Sequence, residues 1–492
     1  MQADAKRVWL RLVEREARCR MLETRLAQMQ RSRSWRLTAP LRALVARLGS
    51  VGRNKRVPMP TRPALGKAAA LVAPSMQAWQ PLLGEAMRRR GLPVWVEDPV
   101  PVPRYLLDVT ELALEDLGAG VQRVTRNWLS ELLLAPPRGF AVEPVRLDDR
   151  GRYVLARDFL ACFLGLQAGD LGHDLVLSPQ GADVFVGLDF CRDRTAQLGP
   201  ALTLLRDAGV HVSLVVPDVL PLQHPQWFPA GIAEAFEAWL RLLASHADRA
   251  LCISHDCAYN LQLELSARQL GHEGLRIVTV VLGSDLPPAT LLPSLPARVP
   301  GSIRLLMVGT LEPRKGYAQM LDAFDLLLAH QTSVELLIVG HAGWLTDEVI
   351  GRINHHSQYG LRLHWLSDAD DATLAAAYRD ADLLVMASQG EGYGLPIGEA
   401  GRLGCALLLR DLPVFHEVAG ESADYFSGDT GQALAAALQG WIGGQAGSAT
   451  GRATKHWPSW RESAVSMENE TIVGPEGLVG ADSTVSSSGN RS

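Results

Sequence analysis

The sequence predicts an α/β protein of two similar-sized lobes with a cleft between them, preceded by a helical arm. Apolar runs of strand length alternate with helical stretches from about Pro103 to Trp441, the rhythm of parallel sheets covered on both faces. A Pro-rich break, GSDLPPATLLPSLPARVPG from Gly283 to Gly301, interrupts that rhythm near its middle. The glycines and charged residues able to carry chemistry follow the strands, where open parallel sheets bind ligands. The expected division is an arm at 1–56, a linker or adaptor at 57–102, a first lobe at 103–286, an interlobe linker at 287–300, a second lobe at 301–445, and a return segment with a disordered tail at 446–492.

In the arm, fifteen Lys and Arg stand against four Asp and Glu, although the whole chain carries a formal charge of −5. Leu12, Cys19, Leu22, Leu26 and Met29 recur at three- and four-residue steps interrupted at Arg15, which predicts a short helix or weak coiled coil. Basic residues then surround Trp35, Leu37, Leu41, Leu44 and Leu48, a pattern suited to an anionic lipid surface or to a solvated oligomerisation arm. No nucleic-acid-binding module accompanies the charge, so nucleic acid is not an expected partner. No apolar run approaches the roughly 18–20 residues that span a bilayer, and the charged N-terminus is unlike a signal peptide. Cys19, Cys162, Cys191, Cys252, Cys257 and Cys405 lack metal or disulfide spacing. The expected setting is cytoplasmic, with peripheral contact at the inner face of the membrane through the arm.

The first lobe begins with YLLDVTEL, Tyr105 to Leu112, read as a strand. A loop with Gly118 and Gly120 then enters an amphipathic helix bearing Arg123. Ala182–Phe190 and Val210–Phe228 supply further strands, the second ending in a polar, Pro-rich loop with Asp218 and His224. Ser254 caps a helix after the strand from Arg249, and Ile277–Asp285 is the last strand of this half.

The second lobe opens with IRLLMVGT, Ile303 to Thr310, whose Gly309 leads into LEPRKGY and a helix. Arg314 and Lys315 stand between strand and helix, where a bound anion needs cations. VELLIVG and LRLHWLS are the next strands. In SDADDATL, Asp368 and Asp370 form a D-x-D that invites a metal, but the acids precede a helix and are better placed to cap it. No metal site is expected. After the strand ADLLVMAS comes EGYGLPIGEA, Glu391 to Ala400, the most informative stretch of the chain. Strand, Gly-rich loop and helix follow in the order that phosphate sites require, with Gly392, Tyr393, Gly394 and Leu395 at the turn. Glu391 lies at the tip of the loop and Glu399 inside the helix.

Glu391 and Glu399 resemble the E-x7-E motif of the retaining glycosyltransferases of family 4, which have the GT-B fold of two Rossmann-like lobes. LEPRKG is similar to the family's phosphate loop, with Thr310 where many members carry Arg, so that Arg314 supplies the guanidinium. The Gly118–Arg123 stretch resembles the TGIQRV signature of a polysaccharide-building subgroup, and DVLPLQHPQWF resembles D-L-I-P-L-x-H-P-E, with Pro217 where relatives have His or Tyr. SWRLTAPLR, from Ser34, is similar to linkers in the same enzymes and their fused partners.

The resemblance implies transfer of a hexose from a nucleotide diphosphate sugar, GDP-mannose by preference, to a growing lipid-linked glycan, without a cofactor. It implies Arg314, Lys315 and the loop N–H groups on the diphosphate, Glu391 on the sugar and Glu399 on the ribose. Gly118, Gly120 and Arg123 would lie near the donor, with His224 and Asp218 toward sugar or acceptor. Attack from the front face, with the leaving phosphate helping to take the acceptor's proton, would retain configuration. WPSWRESA, Trp457 to Ala464, is similar to the family's closing segment, but the Gly-rich run before it predicts a short or weakly docked helix. On that ground a non-catalytic scaffold of the same fold is the alternative. An epimerase of this fold would need an acid/base set that the sequence does not present.

Overall fold

The computed structural model describes residues 102–116, 120–188, 190, 194–286, 295–444 and 455–472. The arm, Gly118, Cys191, most of the interlobe linker and the tail after 472 lie outside the described residues.

Two sheets organise the chain. In the first lobe the strands are β1 (Arg104–Asp108), β2 (Ala141–Leu147), β3 (Tyr153–Leu155), β4 (Leu175–Val176), β5 (Val184–Gly187), β6 (His211–Val216), β7 (Arg249–Cys252) and β8 (Arg276–Thr279). Their order is β4-β3-β2-β1-β5-β6-β7-β8. The sheet is parallel except at the β3 and β4 edge. The second lobe has β9 (Ile303–Val308), β10 (Val334–Val339), β11 (Leu363–Leu366), β12 (Leu383–Met386), β13 (Ala406–Arg410) and β14 (Asp424–Phe426), in the order β11-β10-β9-β12-β13-β14. All of its strands pair in parallel. β5, β10 and β12 are buried along their whole length, as strands covered on both faces must be.

Three expectations change. The strand read through Leu112 stops at Asp108, because Thr110–Leu114 is a helix. Asp108 turns the chain there by accepting from the Thr110 N–H at 2.9 Å and from the Thr110 hydroxyl at 2.5 Å. The Pro-rich loop after β6 winds into a short helix, Leu220–Gln223, and a 3-10 turn, Pro225–Trp227.

The closing helix, Trp460–Thr471, is firmly docked rather than short or loose. Ser459 and Glu462 form a reciprocal capping box at its start. Trp460, Ala464 and Met467 enter the first lobe's core beside Trp128 and Leu132. Trp128 Nε1 donates to Ser463 Oγ at 2.7 Å, and the Tyr105 and Thr471 hydroxyls bond at 2.5 Å. The segment leading to this helix crosses the second lobe, where the Trp457 ring lies against Gly398 and Gly401. A Cβ on Gly401 would come within 2.3 Å of that ring, so glycine is what admits the crossing. Tertiary packing thus decides a helix that its flanking composition disfavours.

Candidate active site between the lobes

The site is built where β9 and β12, neighbours in the second sheet, release their chains. After β9, a 3-10 turn at Pro313–Lys315 presents Arg314 and Lys315, and Gly316 (φ 75°) reverses the backbone into the next helix. After β12, the loop carries Glu391 to the helix Leu395–Arg402, opened by Gly394 at φ 95°. A helix starting there has N–H groups without partners within it and a positive end toward the loop.

Glu391 joins the two turns. Lys315 Nζ donates to Glu391 Oε1 at 2.6 Å, Arg314 Nη1 to Oε2 at 2.8 Å, and Ser388 Oγ to Oε1 at 2.7 Å. Burial works against this charge, but Lys315 and Arg314 outweigh it and hold the carboxyl at about 2. Glu312 also pairs with Arg314, with Oε2 3.0 Å from Nε. From the first lobe, Asp218 accepts from the Leu220 N–H at 3.0 Å and lies in the field of Arg314, Lys315 and Glu391. Burial raises the pKa of both Glu312 and Asp218 from its ordinary value, against the pull of Arg314. Three carboxyl groups therefore share two cations.

The lobes close tightly around this loop. Ser254 Oγ donates to the Gly392 carbonyl at 2.7 Å while its oxygen caps the following helix. A Cβ on Gly392 would sit 1.8 Å from the Pro217 carbonyl oxygen, so only glycine permits the approach. Glu417 accepts from the backbone of His255 and Asp256, and Trp344 Nε1 donates to the Trp227 carbonyl at 2.8 Å. Tyr393 reaches the Leu282 carbonyl, and Leu395 packs against the first lobe's core.

Other predicted residues divide. Gly309, at φ 140°, accepts from the Tyr317 hydroxyl at 2.6 Å beside the cationic turn. His224 stacks on Trp227, with ring centroids 4.0 Å apart, whereas the Glu391 carboxylate is bonded by Arg314, Lys315 and Ser388. Glu399, expected to face a ribose, is 1% exposed because the lobes meet over it. Its carboxylate lies 2.9 Å from Arg123 Nη1 and accepts from the Tyr378 hydroxyl at 2.8 Å. Burial raises its pKa even so. Arg123, read as facing the cleft, spans it as an ion pair and also lies 3.5 Å from Asp371. Gly120 begins the Arg123 helix in the open, where a Cβ would meet nothing within 4 Å, so no close backbone passage is made there. Asp370 caps its helix by accepting from the Thr373 N–H at 2.9 Å. The roles of Glu312, Ser388, Tyr378 and Trp227 escaped the sequence reading. Glu312 had a signal, since it stands two residues before Arg314 in the same motif, and so did Ser388, three residues before Glu391, and Trp227, in the loop of Asp218 and His224; Tyr378 reaches Glu399 only through the fold.

Residues 296–449, which span this cradle, match the family model for Glycosyl transferases group 1. They are a group 1 glycosyltransferase domain. The group 1 domain coincides with the second lobe, and the two-lobed whole has the GT-B plan. The chain is 35% identical over 384 residues to the serotype-specific mannosyltransferase WbdA of Escherichia coli, covering 76% of this chain and 47% of that one. It thus spans about half the length of the curated relatives it matches. A shorter stretch of 108 residues, 22% of this chain and 27% of the relative, is 36% identical to a phosphatidyl-myo-inositol mannosyltransferase of Mycobacterium tuberculosis. Among solved structures, Anabaena Alr3699/HepE in complex with UDP and glucose aligns over 75% of this chain and 95% of its own, with a TM-score of 0.51. At 15% identity that likeness is one of fold. Among the described residues no helix is long and apolar enough to cross a membrane.

Proposed function

We propose that the protein is a retaining, family 4 hexosyltransferase moving mannose from GDP-mannose to a growing lipid-linked polysaccharide such as an O-antigen. The observation that carries this reading is Glu391, held between Arg314 and Lys315 at the mouth of a helix N-terminus. Two cations and a helix dipole suit a departing diphosphate, and the carboxylate suits the positive charge that develops on the sugar. In the present arrangement Glu391 occupies the cations, so donor binding exchanges carboxylate for phosphate and turns Glu391 toward the sugar. The ribose similarly displaces Arg123 from Glu399. No residue need act as nucleophile, and with Asp370 engaged in capping and Arg314 and Lys315 at the phosphates, no divalent ion is required. The relatives named as mannosyltransferases support mannose as the transferred sugar. The first lobe would then serve the acceptor, and the basic arm would keep the enzyme at the cytoplasmic face of the membrane or pair it with a partner enzyme. The docked closing helix removes the ground for a non-catalytic scaffold.

The test is calorimetric titration with GDP, UDP, ADP and dTDP sugars without added metal. GDP-mannose is expected to bind the native protein, and Lys315→Ala to weaken that binding by about 1.5–3 kcal/mol, the range for a charged hydrogen bond. Silence from every nucleotide, in a folded protein, removes the donor site; unchanged affinity in the variant removes Lys315 from it.

Nucleotide binding should also be linked to protons. An arriving diphosphate adds to the negative field at Asp218 and Glu312, whose pKa burial already raises, so binding is expected to take up protons and affinity to rise as pH falls. Titration in buffers of different ionisation enthalpy reads the uptake directly; proton release on binding would contradict this sharing of two cations among three carboxyl groups.

A further inference from the structure

A cavity of about 570 Å³, within the range of small-molecule sites, lies between the lobes beside the Glu391 loop. The first lobe contributes His224, Gln226 and Trp227 to it. Gln389 enters from the second lobe, two residues before Glu391, and Trp227 is packed so closely on Gly390 that a Cβ there would meet it at 2.9 Å. The remaining wall, including Arg410, Asp411 and Asp429, follows β13 and β14. Asp371, near Arg123 and Glu399, instead opens the helix after β11, at the opposite edge of the sheet. Glu391 thus separates a flank with Glu399 from a flank with this cavity.

The lining selects for a neutral, hydroxyl-rich ligand. Arg410 is 5% exposed and already committed, donating to the Gly428 carbonyl at 2.8 Å, the Ala387 carbonyl, Gln319 and Asp429. Asp411 and Asp429 present carboxylates at the rim, unsuited to a second phosphate. Gln226 and Gln389 offer amides that both donate and accept, and the stacked His224–Trp227 pair offers an aromatic surface. Carboxylates and amides for hydroxyls, with an aromatic surface for apolar ring edges, form a sugar-binding set.

We propose that this cavity is the subsite for the terminal sugars of the acceptor glycan, on the β13–β14 side of Glu391. The assignment rests on the donor reading above, which places the nucleotide on the other side. His224 then positions acceptor rather than donor, through its stack with Trp227.

The test uses the full chain and two soluble probes, GDP and α-mannobiose, titrated separately by calorimetry and by saturation-transfer NMR. Gln226→Trp is chosen to fill the cavity from an exposed position, and Asp429→Ala removes one rim carboxylate. The native protein is expected to bind mannobiose, with affinity falling by at least about tenfold in Gln226→Trp and more modestly in Asp429→Ala. GDP affinity stays within about twofold in both. Absence of mannobiose binding to the native protein, or equal binding by both variants, overturns the subsite. Absence of GDP binding to the native protein would instead overturn the donor reading, so the two failures are distinct.

Discussion

Replacing Glu391 by alanine is expected to slow transfer by at least about 10²–10³-fold, the cost of removing one preorganised charge that acts on the transition state. The same variant should bind GDP no more weakly than the native protein. The asymmetry follows from the geometry, in which Glu391 is the direct partner of both Lys315 and Arg314. Without it the cations face an incoming diphosphate with one competitor fewer, and Arg314 keeps Glu312 and the Gly390 carbonyl as partners. Folding is therefore retained while chemistry fails. Initial rates beside a GDP titration separate the effects. Near-native turnover in the variant would mean that Glu391 only seals the cationic turn.

Replacing Trp460 by alanine is expected to destabilise the protein by about 3–5 kcal/mol, the usual cost of removing a large aromatic from a core. Trp460 is 3% exposed and packs directly on Gly283, where a Cβ would lie 2.5 Å from it. Its backbone N–H, which alanine would keep, donates to Asp285 at 2.5 Å, so the substitution tests the ring's packing alone. Urea unfolding followed by circular dichroism measures the loss. A change below about 1 kcal/mol, the level of ordinary surface substitutions, would show that the helix contributes little to holding the lobe together.

The alternation of strands and helices made the second lobe legible, because each of its buried strands is a short apolar run bounded by glycine or charge. The cradle was legible for a related reason: Arg314, Lys315 and Glu391 lie in two loops that follow adjacent strands, so local motifs and sheet order together bring them into contact. The first lobe's edge was not. β4 is two exposed residues, and β2 contains Pro144, so neither shows the pattern of a buried strand. Nor could the sequence place Arg123 on Glu399, or Trp344 on Trp227, since those pairs exist only because the lobes close. The Gly-rich run before Trp457 misled for the opposite reason. Local composition argued against the closing helix, while Trp128, Tyr105 and the capping box decided in its favour.

On the proposed function, the turn at Arg314 and Lys315 receives the donor diphosphate by exchange with Glu391. A crystal structure of the protein with GDP tests it most directly. Both phosphates are expected within hydrogen-bond distance of Arg314, Lys315 and the start of the Leu395 helix, with the Glu391 carboxylate withdrawn from both cations. GDP bound elsewhere, with Lys315 and Arg314 still joined to Glu391, would contradict it.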